Sequence, residues 1–259
     1  MLNNVLFLKE YFESINLYGI CIGVGLLACF GVLYWFSRIR KVDSRFVDFV
    51  FYDGVASIAI GFFFAALFQA FYNYLDNPEK GFRFGSGITF IGGLIGGAGA
   101  FLAIFYIFKK FRHGTLADIL PIAPCCIVIA HAFGRIGCFF GKCCYGAPTD
   151  SIFGVVFFKG DVPRHPTMLY ESFFLFVLFA VLTILLLKKN YKQTLNIYLI
   201  AYGIFRFLIE YLRDDKRGSF IGALSPSQFW SIVMIIVGIG LYFAPIIVRK
   251  IKAKSNAKS

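Results

Sequence analysis

MLYESFFLFVLFAVLTILLL (168–187) is an almost unbroken apolar run closed by Lys188 and Lys189. At about 1.5 Å of rise per residue, a helix of this length crosses the roughly 30 Å of bilayer hydrocarbon. The run is continuous rather than alternating, which excludes a strand of a transmembrane barrel. Similar runs lie near 17–37, 48–72, 87–108, 116–140, 195–212 and 227–248. Together they predict an all-α, polytopic membrane protein of seven transmembrane helices, a single integral membrane domain over 1–259 with a small extracytoplasmic cap.

Composition agrees. Of 259 residues, 59% are hydrophobic and 15% charged, against about 45–50% and about 25% in soluble domains. A soluble enzyme and a disordered chain are excluded. Seven cysteines, at 21, 29, 125, 126, 138, 143 and 144, are an odd number, which argues against a fully paired disulfide framework. The first fifteen residues carry Glu10 and Glu13 and lack a basic region followed by a cleavage site, so the first apolar run is expected to stay as an anchor.

A net charge of +12 would suggest nucleic acid in a soluble protein. Here the basic residues sit between apolar runs, and no nucleic-acid partner is expected. Alternate connections carry fifteen and nine Lys and Arg, the richer set including Arg38, Lys109, Lys188 and the tail from Arg249. The positive-inside bias places that set in the cytoplasm, giving an outward N-terminus and a cytoplasmic C-terminus. Connections 73–86 and 141–167 are then outside. The second, with three prolines and the stretch Ile152 to Phe158, reads as the ordered cap.

Two arginines fall inside the runs. Each costs roughly 2.5–3.5 kcal/mol at a helix centre, so Arg135 and Arg206 are candidate site residues. Tyr202, Arg206, Glu210 and Arg213 fall at i, i+4, i+8 and i+11 on one face, with Arg206 and Glu210 able to pair locally. His131, Arg135 and Cys138 form a second narrow stripe. The glycine-rich GSGITFIGGLIGGAG has small-xxx-small spacing suited to close helix packing, and its Gly92 and Gly93 would also let a lipid headgroup approach the backbone.

GRIGCFFGKCCYG (134–146), HPTMLYE (165–171), YGIFRFLIEYLRDD (202–215), LSPSQFW (224–230) and LYG (17–19) resemble, in order, the motifs of bacterial prolipoprotein diacylglyceryl transferases. The resemblance covers essentially the whole chain and implies a transferase of the bacterial plasma membrane. Its substrates would be phosphatidylglycerol and the lipobox cysteine of a prolipoprotein, with no cofactor and no metal. It implies Arg135 and Arg206 as phosphate-holding groups, oriented by Tyr202 and Glu210. Tyr18, Gly92, Gly93, Gly137, Cys138, Gly146, Tyr170, Glu171 and Gln228 would contact substrate.

The sequence departs from the family pattern GRxGNFxNxExxG at Cys138, Gly141 and Cys143, which stand for Asn, Asn and Glu. The family's His-Gly-Gly reads Ile91-Gly92-Gly93. His131 and His165 are the candidates to replace the missing histidine as base. A diverged phospholipid-dependent transferase with another acceptor is an alternative, as is a redox or metal-binding membrane protein using Cys138, Cys143 and Cys144. The spacing C-x4-C-C matches no usual zinc or thioredoxin pattern. Paired broken helices in an internal repeat, the mark of a transporter, are not found.

Overall fold

Apolar runs become helices because a bilayer leaves every backbone polar group to be satisfied within the segment. The computed structural model describes residues 16–85, 87, 89–213 and 224–256. They form α1 (Leu17–Ile39), α2 (Ser44–Asp76), α3 (Phe90–Ile107), α4 (Leu116–Ile119), α5 (Ala123–Phe140), α6 (Thr167–Leu187), α7 (Thr194–Ile209) and α8 (Pro226–Asn256), with short 3-10 turns at Pro78–Lys80 and Glu210–Leu212. Among the described residues, six helices are long and apolar enough to span a membrane. The apolar part of α3, Gly92–Ile107, is shorter. The fold is thus the expected polytopic helical one.

The expected helix over 116–140 is broken. Pro121 disfavours helical geometry at Leu120 and offers no N–H, so α4 stops at Ile119. Ile122 N–H caps the turn on Ile119 O at 2.8 Å. Pro124 then sits in the first turn of α5, where a missing N–H costs nothing. The buried Pro121 carbonyl accepts from Thr194 Oγ1 at 2.7 Å, which fastens the break to the start of α7.

Two units make up the chain: 37–118, and the remainder on either side. Within 37–118, Asp43 caps α2 by accepting from the N–H groups of Arg45 and Phe46. The glycines of α3 then let it lie directly on α2. A Cβ on Gly92 would come within 2.7 Å of Phe68 Cβ and 2.8 Å of Phe64 O, and one on Gly96 would overlap Phe64. Thr89 ties the two helices at the α3 start, through Oγ1 to Gln69 Oε1 at 2.8 Å.

The larger unit is built on α6. Met168, Leu175, Leu178, Leu182 and Leu186 make a buried stripe at helical spacing, and Glu171 and Ser172 lie on the same face. Ser172 Oγ donates to Ala132 O at 3.0 Å, fixing α6 on α5. Gly203 does the equivalent for α7 and α8, since its missing Cβ would lie 2.8 Å from Ile235 and 3.0 Å from Ser231 O.

The cap over 141–166 is ordered without forming a sheet. Isolated bridges join Arg164 to Pro148 and to Val155, and Tyr145 stacks on Phe157 at 5.2 Å between centroids. The β-branched stretch therefore supplies apolar contacts and single bridges rather than a strand.

Candidate functional site

One buried carboxylate organises the interior of the larger unit. Glu171, 1% exposed, enters from the first turn and a half of α6. Its Oε2 lies 3.1 Å from Arg135 Nε on α5, and its Oε1 accepts from Tyr202 Oη on α7 at 2.7 Å. His131 Nε2 is 3.6 Å from Oε1 and accepts from Arg135 Nε at 3.2 Å, with its ring edge-on to Tyr202. Four expected residues from three helices thus meet at one point. The carboxylate cancels the guanidinium charge, and removing either partner alone would strand the other in the membrane. Contact runs through Nε; the terminal nitrogens carry the other four N–H donors of the guanidinium.

Arg206 is held differently. Its Nη1 is 2.8 Å from Glu210 Oε2 one helical turn on, and its Nη2 donates to Ser227 Oγ at 2.8 Å. Arg206 lies in the last turn of α7 rather than mid-span, because the helix tightens into a 3-10 turn from Glu210. Glu210 Oε1 accepts from Ser225 Oγ at 2.9 Å. Ser225 is also the N-cap of α8: its Oγ accepts from Gln228 N–H at 3.2 Å and its N–H donates to Gln228 Oε1 at 3.1 Å. Ser-Pro-Ser-Gln is therefore a capping box with proline at the first helical position. The amide oxygen of Gln228 is committed to that cap.

Tyr202 serves the Arg135 pair through Glu171, and Glu210 orients Arg206. Glu171, expected among the substrate contacts, is the ion-pair partner of Arg135. His165 engages Tyr170, with Nδ1 3.3 Å from Oη. Gly137 lets α1 approach α5, because a Cβ there would sit 3.3 Å from Tyr18 and 3.2 Å from Cys21. Gly146 is threaded between two segments: its N–H donates to His165 O at 2.7 Å, and a Cβ would overlap Leu212 O. Gly92 and Gly93 belong to the 37–118 unit, where they pack on α2.

Cys138 meets two other thiols at the end of α5. The end of α5 is a Schellman turn: Lys142 N–H bonds Phe139 O and Cys143 N–H bonds Cys138 O, both at 3.1 Å, with Lys142 left-handed at φ 49°. That motif sets the third-last helical residue against the second residue beyond the helix, here two cysteines. Cys144, left-handed at φ 66°, folds back. The Sγ atoms of Cys138, Cys143 and Cys144 all lie within 4.8 Å of one another. A hydrogen bond from Cys138 and the Arg213 guanidinium hold the Cys144 thiol below its ordinary range. All seven cysteines are free.

An all-helical, membrane-spanning chain that keeps paired ionised side chains inside its bundle is of the class of polytopic membrane proteins with a candidate site within the membrane. The family model described as prolipoprotein diacylglyceryl transferase matches residues 6–244, and the chain belongs to that family. It is 32% identical over 231 residues to the phosphatidylglycerol–prolipoprotein diacylglyceryl transferase of Clostridium tetani, covering 87% of this chain and 91% of that one. It is 34% identical to the second such transferase of Clostridium perfringens, over 87% and 89% of the two chains. The enzyme of the same name from Rickettsia bellii is also 34% identical, over 88% and 90%.

Proposed function

We propose that this protein transfers the diacylglyceryl group of phosphatidylglycerol to the thiol of a lipobox cysteine in a prolipoprotein. The observation that carries the reading is Arg135, held inside the bundle through its Nε by a carboxylate from another helix. The acceptor sulfur attacks the glyceryl carbon, the carbon–oxygen bond breaks, and the electron pair leaves on the phosphate oxygen as glycerol phosphate. Arg135 and Arg206 neutralise that growing charge, because guanidinium remains protonated and meets phosphate through two parallel N–H bonds.

Glu171, Tyr202 and His131 hold Arg135 in place, while Glu210 and Ser227 hold Arg206. Tyr18, Tyr170 and His165 line the approach to the headgroup. The N-terminus lies outside and the tail in the cytoplasm, so the cap and the acceptor peptide share the outer side of the plasma membrane. Complementation of a bacterium depleted of its own transferase tests this. A reporter lipoprotein should become diacylglycerylated, and an unmodified reporter beside normally accumulated protein would refute it.

A second reading keeps the chemistry and changes the acceptor. Ile91, Cys138, Gly141 and Cys143 all depart from the family pattern, which favours a thiol other than the standard lipobox. Lipidation of the reporter in the same strain decides between the two.

A further inference from the structure

Thiol transfer needs the acceptor sulfur as thiolate. The family histidine is absent at position 91, and the Nε2 lone pair of His131 is occupied by Arg135. Beside this cluster stand three thiols that the reaction as described does not use. We infer that Cys138, Cys143 and Cys144 bind one zinc ion as a three-thiolate site whose open fourth position takes the acceptor thiol; this rests on the transferase reading above.

The geometry is close to that required. Zinc–sulfur bonds of about 2.3 Å put tetrahedral sulfurs about 3.8 Å apart, so thiols already within 4.8 Å need contract by only about an ångström. The convergence is built in by backbone. Lys142 and Cys144 both adopt left-handed conformations uncommon for side chains other than glycine, and the chain is pinned immediately beyond by Thr167 Oγ1 on Cys144 O at 2.7 Å and Gly146 N–H on His165 O. Cys143 is exposed, which provides a path for the ion. Thiolate sulfur selects zinc over magnesium or calcium. Three thiolates on a divalent ion leave one negative charge, and Arg135 acts electrostatically on all three sulfurs and Arg213 on Cys144.

Three protein ligands with an open position are the pattern of catalytic rather than structural zinc. An incoming thiol that fills the position loses its proton to solvent, because a coordinating thiol is deprotonated outright. The bound sulfur then forms the bond to the glyceryl carbon while the phosphate oxygen takes the electron pair. Metal coordination would do the work of the missing base.

The test uses full-length protein purified anaerobically in detergent. Zinc should be retained in a one-to-one ratio with the chain, kept in Cys29→Ser and lost in both Cys143→Ser and Cys144→Ser. Cobalt in place of zinc should give a sulfur-to-metal charge-transfer band, and a cysteine-containing lipobox peptide should intensify it while its serine counterpart does not. Absence of bound metal, retention of metal in the two serine variants, or a band indifferent to the thiol peptide would each overturn the inference. Because the spectrum reads coordination without turnover, a thiol-responsive site in a protein that never lipidates the reporter would sink the transferase reading alone.

Discussion

Arg135 and Arg206 solve one problem in two ways. Arg135 finds its carboxylate on another helix, where Glu171 also collects Tyr202 and His131. Arg206 finds one a turn along its own helix and adds serines from the start of α8. The first arrangement is tertiary and concentrates charge on one fully buried group. The second is largely local and spreads it over several. Loss of the hub should therefore cost more than loss of any member of the distributed set.

The largest effect is expected for Glu171→Gln, which leaves Arg135 uncompensated and should cost about 3–5 kcal/mol. Glu210→Gln should cost clearly less, since Ser227 still holds Arg206. Thermal unfolding of the two variants in detergent measures the difference. Equal losses would erase the distinction between hub and distributed set.

Next come Arg135→Lys and Arg206→Lys. Lysine retains charge but not the planar fork, so each should reduce reporter lipidation about 10²-fold at normal protein level. Full activity in Arg206→Lys would confine the phosphate role to Arg135. The smallest effect belongs to Ser225→Ala. Removing the cap of α8 should cost about 1 kcal/mol in the same unfolding assay and lower activity mildly, because Glu210 keeps its bond to Arg206. A loss as large as that of Glu171→Gln would make Ser225 the true hub of the second set.

What could be read from sequence follows the same division. The Arg206–Glu210 pair lies four residues apart and is visible in the helical period. So is the His131–Arg135 stripe, and so is the glycine face of α3. Glu171 showed only as a carboxylate near the end of a span, beside Tyr170, because a helical period carries no information about the partner on a neighbouring helix. Ser227 had no signal of its own. The break near Leu120 was written in Pro121 and Pro124 but hidden by the uniform hydrophobicity around them. The three thiols converge only because non-glycine residues take left-handed turns at 142 and 144. The motif order across the whole chain pointed to the family, and the match over 6–244 bears that out.

The cross-helix pair also bears on how the chain enters the membrane. Arg135 is synthesised thirty-six residues ahead of Glu171 (135 to 171), so α5 emerges as a segment carrying an unneutralised guanidinium, at roughly 2.5–3.5 kcal/mol against insertion. Partition into lipid becomes easier once α6 follows and supplies the carboxylate. The two helices are therefore suited to leave the insertion machinery together, as a hairpin, with Ser172 closing on Ala132 as they do so. The helix carrying Arg206 brings its own counter-charge and has no need to wait.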